Sequence, residues 1–360
     1  MNRTKSRSLF AVTACGILLA ACSKHLPLAR PAAPLTEPTR LCTANEGTPE
    51  CRPVSQVEET LAGDLEILSL DDTPTGSQGA KILTVRGWWR GQSIVFRVRW
   101  RAQSSAGLVN EPRKELAAYA VQKLFLDDDE LVAPPTAAHC FPIALYRRFA
   151  PTDAPTFTNA DCVLGFASLW LEDVKTVESA RKADWLEDDG GIWDKKLFER
   201  DAMYRASVGN ANLFTHLINH GDAHTLQFML EKTPRGLRTY VVDNSIAFRS
   251  IKNPMLLLRE DWSQIQVPSI SARAITRLKA LTGQDLARLA TITELELRDH
   301  QLSVTKQPLE TPPSHPNEMS WHGQRLRIGL TEGEIELVSS RIREFLARPD
   351  VDKLAGTALR

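Results

Sequence analysis

Residues 210–248, NANLFTHLINHGDAHTLQFMLEKTPRGLRTYVVDNSIAF, hold two aspartates in unlike settings. Leu213, Phe214, Leu217 and Ile218 recur at helical spacing, and His220-Gly221 marks where that helix should stop. Asp222 therefore falls on a loop just past a helix. Tyr240-Val241-Val242 is the aromatic and β-branched run of a buried strand, and Asp243 ends it. Gln227-Phe228-Met229-Leu230 reads as another short strand, with Pro234-Arg235-Gly236 as the turn that pairs the two. The predicted order is helix, acidic loop, hairpin, and a second acid at a strand end.

That order suits phosphoryl transfer. The reaction asks for one carboxylate near the attacking hydroxyl and another to hold the metal that neutralises the phosphates. Asn219-His220-Gly221-Asp222-Ala223-His224 resembles the catalytic loop of atypical kinases of the HipA-toxin and phosphatidylinositol-kinase-like type. Their pattern is Asp-Ala-His or Asp-Arg-His, with a metal-binding Asn five positions after the Asp. Val242-Asp243-Asn244-Ser245-Ile246-Ala247-Phe248 resembles their metal-binding Ile-Asp-Asn-Gly-x-x-Phe segment. The resemblance implies that Asp222 is the catalytic acid or base and Asp243 the main metal ligand. Gln227 stands where most of that group has Asn; some secretory-pathway relatives use Glu there, and a Gln carbonyl oxygen can also face Mg²⁺. A rival reading takes His216, His220 and His224, each four apart, as zinc ligands on one helix face. Gly221 interrupts that helix, and no Glu follows the first His as a metalloprotease requires.

Two upstream segments extend the resemblance. In residues 93–100, Ile94, Phe96, Val98 and Trp100 alternate with Val95, Arg97 and Arg99, the period of a strand with one buried face. With residues 82–85 and the Gly87-Trp88-Trp89-Arg90-Gly91 turn, this resembles the kinase hairpin that carries a phosphate-binding lysine. The strand has no lysine, so Arg97 or Arg99 takes that place; arginine grips phosphate bidentately, unlike a compact ammonium. A helix opens at residues 110–119 with Pro112 near its first turn, and the Arg-x-Glu-x-Ala-Ala-Tyr pattern makes Glu115 the counterpart of the glutamate that pairs with the strand cation. Read without the family, Arg97 and Arg99 are a solvated strand face and Glu115 an exposed helix charge.

Arg3, Lys5 and Arg7 precede a short apolar run, residues 9–21, the form of a signal peptide and too short for a membrane span. Leu19-Ala20-Ala21-Cys22 resembles the lipobox of bacterial lipoproteins, which implies lipidation of Cys22; Ser23 after it implies export to the outer membrane. An ordinary cleaved signal is the alternative. Residues 23–53 are rich in Pro, Ala and Thr and read as a tether. Cys42, Cys51, Cys140 and Cys162 remain, an even number for an oxidising compartment. Proximity favours Cys42 with Cys51 and Cys140 with Cys162, although the spacing alone does not decide among three pairings. The formal charge is +0, with Lys+Arg 44 and Asp+Glu 44, and nothing in that balance favours nucleic acid.

The expected architecture is α+β: a bilobal protein-kinase-like fold with a small antiparallel-sheet N-lobe and a mostly helical C-lobe. The expected boundaries are 1–21 signal peptide, 22–55 tether, 56–160 N-lobe, and 161–360 C-lobe with C-terminal helices at 271–282, 285–289 and 332–347. Residues 308–316 read as a proline-rich loop. The function so implied is metal-dependent phosphoryl transfer from ATP, with Mg²⁺ or Mn²⁺, to a protein, lipid or glycan hydroxyl. The protein would be lipid-anchored in the bacterial envelope, on the periplasmic or surface side of the outer membrane. The alternatives are a pseudokinase that binds a nucleotide or other ligand without catalysis, and a purely structural envelope lipoprotein.

Overall fold

The hairpin of β4 (Lys81–Trp89) and β5 (Gln92–Ala102) organises the first half of the molecule. Trp89 pairs with Gln92 across a two-residue turn in which Arg90 (φ 49°) and Gly91 (φ 79°) are both left-handed, the geometry that matches strand twist. Leu83, Val85, Phe96, Val98 and Trp100 are buried, as the alternation predicts. In this computed structural model the described residues are 40–45, 48–74, 79–105, 110–188, 191–249, 261–305 and 319–356. They all belong to one compact unit, Pro38–Arg360.

β3 (Glu66–Asp72), β6 (Thr136–Pro142) and β7 (Cys162–Leu169) complete a five-stranded antiparallel sheet of order β3-β4-β5-β7-β6. β7 is a fully buried strand beside β5, and the chain leaves the sheet at Trp170. A disulfide joins Cys140 of β6 to Cys162 of β7, with Cα atoms 5.3 Å apart. α1 (Val54–Ala62) packs against β4 and β6. α2 (Arg113–Phe125) packs against β6 and β7. The sequence expected only a tether up to residue 55, yet β1 (Arg40–Asn45) and β2 (Thr48–Pro53) form an antiparallel hairpin that sets Cys42 opposite Cys51. The side chains of that hairpin, the leader at 1–21, Cys22 and the first part of the tether lie outside what is described.

The second half is built on α6 (Ala202–Leu217), which lies against β10 (Gly236–Val241). β10 pairs with β9 (Phe228–Thr233), and β9 with β8 (Val174–Thr176). The turn falls at Pro234-Arg235 as expected. Asp201 accepts from Tyr204 N at the start of α6 and from Leu237 N in β10, so one carboxylate both caps the helix and sets the hairpin against it. α7 (Ala272–Ala280) and α9 (Glu332–Leu346) match the expected helices, and α8 (Gly283–Ala287) is a single turn running into a 3-10 segment.

The C-terminal third departs from the expectation of helices alone. β12 (Thr293–Arg298), β13 (Gln301–Val304), β14 (Met319–His322) and β15 (Arg325–Ile328) form a four-stranded antiparallel sheet of order β13-β12-β15-β14. Its apolar residues Leu295, Leu302, Leu326 and Ile328 form a second core with Leu116, Ala138, Cys162, Leu164 and Phe166. Alternation in these strands is short, but burying one face against β6 and β7 is enough to fix it. The proline-rich loop expected at 308–316 lies outside the described residues. Among the described residues, no helix is long and apolar enough to cross a membrane.

Two buried histidines tie stability to acidity. Burial pushes His139, whose ring nitrogen bonds the Leu61 carbonyl, down from 6.5 to about 4. Burial, helped by the Arg341 charge, does the same to His216. Because the folded values lie below the unfolded ones, the fold favours the neutral rings. Their contribution is complete above about pH 6.5 and is lost as pH falls toward 4. Lowering the pH from 7 to 4.5 should cost about 2 kcal/mol for each ring, about 5 kcal/mol for the two, read as an earlier urea midpoint. His139→Gln should flatten that slope; an unchanged slope in the variant would remove His139 as its source.

Candidate functional site

The strand face opposite Phe96, Val98 and Trp100 carries Arg97, Arg99 and Arg101, and these divide. Arg97 makes a two-pronged ion pair with Glu172, Nε to Oε1 at 2.9 Å. It lies over Trp170 rather than with the other two. Arg99 Nη1 reaches Glu115 Oε1 at 2.9 Å and its Nη2 reaches Asp243 Oδ2 at 2.8 Å. Arg101, which sequence reasoning missed, places Nη2 2.9 Å from Asp243 Oδ1 and Nε 4.0 Å from Glu115 Oε1. Its signal was the same alternation carried one residue past Trp100, two past Arg99.

Glu115 stands in the first turn of α2, just after its N-cap residue Pro112. Besides Arg99, it accepts from Asn244 N at 3.0 Å through Oε2, so it is buried between the strand and the segment after β10. The start of α2 is itself fixed. Arg113 donates to both oxygens of Glu334 in α9, at 2.9 and 2.8 Å, and Lys114 pairs with Glu111 at 3.1 Å. The exposed-helix reading of Glu115 therefore does not describe this residue.

α6 ends at Leu217 with Ile218 as its C-cap, and Asn219 turns the chain with φ 45°. Arg341 of α9 holds this corner, donating to the His216 carbonyl at 3.0 Å, Asn219 Oδ1 at 2.9 Å and the Ser263 carbonyl at 2.6 Å. Beyond the corner lies Asp222. Gln227 Nε2 donates to Asp222 Oδ2 at 3.1 Å, and His224 Nε2 stands 3.9 Å from the same oxygen. His220 is buried beside both aspartates. Burial lowers its pKa, against the charges of Asp243 and Asp222. The Val242 amide donates to the Gln227 carbonyl at 2.9 Å, which links the loop to the strand end that bears Asp243.

Asp243 leaves β10 in the left-handed region, φ 63° and ψ 55°, a conformation that Asp tolerates better than most side chains. Its Oδ1 also accepts from Ser245 Oγ at 3.0 Å. Burial alone would raise its pKa, but the Arg99 and Arg101 guanidinium groups outweigh burial and hold the carboxyl well below the usual range. Burial also works against the charge on Arg99, yet Asp243 and Glu115 hold its pKa above the ordinary value. Burial and the Arg99 charge lower that of Arg101.

The structure thus brings Arg99, Glu115 and Asp243 into one ion network, with Asp222 and Gln227 on the adjoining loop, and leaves Arg97 outside it. The three histidines do not gather as a zinc site, because His216 Nδ1 bonds the Ser263 carbonyl at 2.9 Å. Among the described residues the one cluster with metal-ligand spacing is Asp127, Asp129 and Glu130. Arg273 and Arg277 occupy that cluster with ion pairs. Mg²⁺ or Mn²⁺ takes hard oxygen donors. The Asp222 carboxylate and Gln227 Oε1, which is buried with no hydrogen-bond partner, are of that type. Asp243, the expected main ligand, does not fit in the same way, because a guanidinium already lies against each of its oxygens.

No protein-family model matches this chain, and no curated protein matches it. Among solved structures it is similar to one described as the crystal structure of the Golgi casein kinase, with a TM-score of 0.39 and 11% sequence identity. The similarity covers 63% of this chain and 65% of that one, so the chain spans about two thirds of its length. A likeness that loose carries no function across.

Proposed function

We propose that this chain is a kinase-like protein of the bacterial envelope that binds the phosphates of a nucleotide between the five-stranded sheet and the 219–227 loop. The sheet with α2 forms one lobe, and α6, the β9–β10 hairpin and the helices after them form the other. The observation that carries the reading is the ion network in which Arg99 of β5 meets Glu115 of α2 and Asp243 at the end of β10. Guanidinium groups grip phosphate oxygens with paired hydrogen bonds. A carboxylate that fixes the strand cation before the ligand arrives spares the cost of ordering it on binding. The envelope setting is supported by the lipobox-like Leu19-Ala20-Ala21-Cys22, with Cys22 as the anchor, and the Cys140–Cys162 disulfide accords with an oxidising compartment.

Phosphoryl transfer to a protein, lipid or glycan hydroxyl is the second reading, favoured by the placement of Asp222. Its carboxylate is oriented by Gln227 on a loop that Arg341 anchors. A hydroxyl within hydrogen-bond reach of it gives up its proton there as the oxygen attacks the γ-phosphorus, whose bond to the β,γ-bridging oxygen breaks so that ADP leaves.

Calorimetry of the purified protein with ATP, ADP and adenosine tests the first reading. ATP and ADP should bind at least about tenfold more tightly than adenosine, a difference of about 1.4 kcal/mol. Adenosine binding as tightly as ATP would show that the site does not hold phosphates. Asp222→Asn should leave ATP affinity within about twofold while removing any incorporation of labelled γ-phosphate.

A further inference from the structure

Resting on the phosphate-binding reading above, we infer that the Arg99–Arg101 pair holds the ligand's phosphates without a divalent metal, and that Asp243 is the internal counter-ion that the ligand must compete with. An aspartate that serves a metal offers it open lone pairs. Asp243 instead receives Arg99 on Oδ2 at 2.8 Å and both Arg101 (2.9 Å) and Ser245 (3.0 Å) on Oδ1. Asp222 is capped as well, by Gln227 Nε2 at 3.1 Å. A cation bound at Asp243 would sit against two guanidinium groups in a partly buried setting, where like charges repel strongly.

The same two groups carry together the charge of one divalent ion. Arg101 also has donors to spare. Arg101 is 3% exposed, and its Nε and Nη1 have no hydrogen-bond partner. Buried donors left unmet are costly, and phosphate oxygens are the acceptors whose geometry suits a guanidinium fork. A strand lysine is a single point charge and leaves phosphate neutralisation to a metal. Arginines at alternate positions of one strand supply both charges from the protein itself. The ligand class is a nucleoside di- or triphosphate, whose adjacent phosphates can engage the two forks together. Since those forks now rest on Asp243, its carboxylate and the phosphates compete for them.

This competition sets the sign of the test, which is calorimetry of the full protein with ADP and ATP in EDTA and, separately, with Mg²⁺ or Mn²⁺. Affinity in EDTA should be within about threefold of that with metal. Asp243→Asn, which keeps the size of the side chain and suits the left-handed backbone, should tighten binding in EDTA about threefold or more. Arg101→Gln should weaken it at least about tenfold. Binding that appears only with metal, or that Asp243→Asn abolishes, overturns the inference and leaves the phosphate-binding reading standing. No binding by folded wild-type protein under any of these conditions overturns both. If Asp243→Asn does not fold, the comparison of EDTA with metal on the wild type decides alone.

Discussion

Glu115→Ala should destabilise the protein by about 3–5 kcal/mol, the usual result of removing one partner from a buried ion pair. Arg99 and Arg101 would then share Asp243 alone, one carboxylate against two guanidinium charges. The Asn244 amide would lose its acceptor too. The cost is large because Glu115 is 5% exposed and water cannot replace the lost charge. Arg97→Met is the matching control. Its pair with Glu172 lies on a side chain 40% exposed, and pairs of that kind are worth about 0–1 kcal/mol. Urea midpoints measure both variants. A Glu115→Ala loss no larger than that of Arg97→Met would mean that the network is not under the electrostatic demand its geometry implies.

Gly165→Ala should cost about 3 kcal/mol, at the upper end for overpacking. A Cβ there would lie 2.5 Å from the Arg101 carbonyl oxygen and 2.6 Å from Cη2 of the Trp100 ring. Neither can give way cheaply, since one is strand backbone and the other is a buried indole that donates to the Tyr146 hydroxyl at 3.0 Å. Any relief must come from moving β5, and β5 carries Arg99 and Arg101. The variant should therefore lose nucleotide affinity along with stability, although Gly165 itself has no side chain to offer a ligand. Gly333→Ala is the contrast: nothing stands within 4 Å of a Cβ there, and the change in α9 should be neutral or stabilising by about 0.5 kcal/mol. Thermal melts and calorimetry on the two variants separate a packing effect from a general intolerance of substitution.

The residues that proved legible in the sequence are those whose local pattern also fixes their direction. Alternation in β5 put Arg99 opposite Trp100, the first turn of α2 placed Glu115, and the strand end placed Asp243. Arg97 shares the alternation with Arg99 but not its destination. Its partner Glu172 is 75 residues away, and no periodicity announces such a pairing. Arg341 escaped for the same reason, being 122 residues from the Asn219 it anchors. The four-stranded sheet was missed because its strands are short and one of its hairpins turns on Asp299-His300, where φ is 48° and 60°, with no glycine to mark the turn. The histidines at 216, 220 and 224 show the opposite failure. Their spacing is regular, but packing turns His216 to a carbonyl and buries His220, so spacing alone overstated what they share.

The clamps from α9 bear on the order in which the site can assemble. Glu334 holds Arg113 across 221 residues, and Arg341 holds the Asn219 corner across 122. Both are long-range closures, which form slowly because the intervening chain must be ordered before they reward it. A chain that emerges N-terminus first can pair β4 with β5 early, yet it exposes an unbraced α2 and an unanchored Asp222 loop until residues 332–346 arrive. Competence to bind should therefore appear late in refolding, after most of the secondary structure, and should be the first property lost when the last long helix frays.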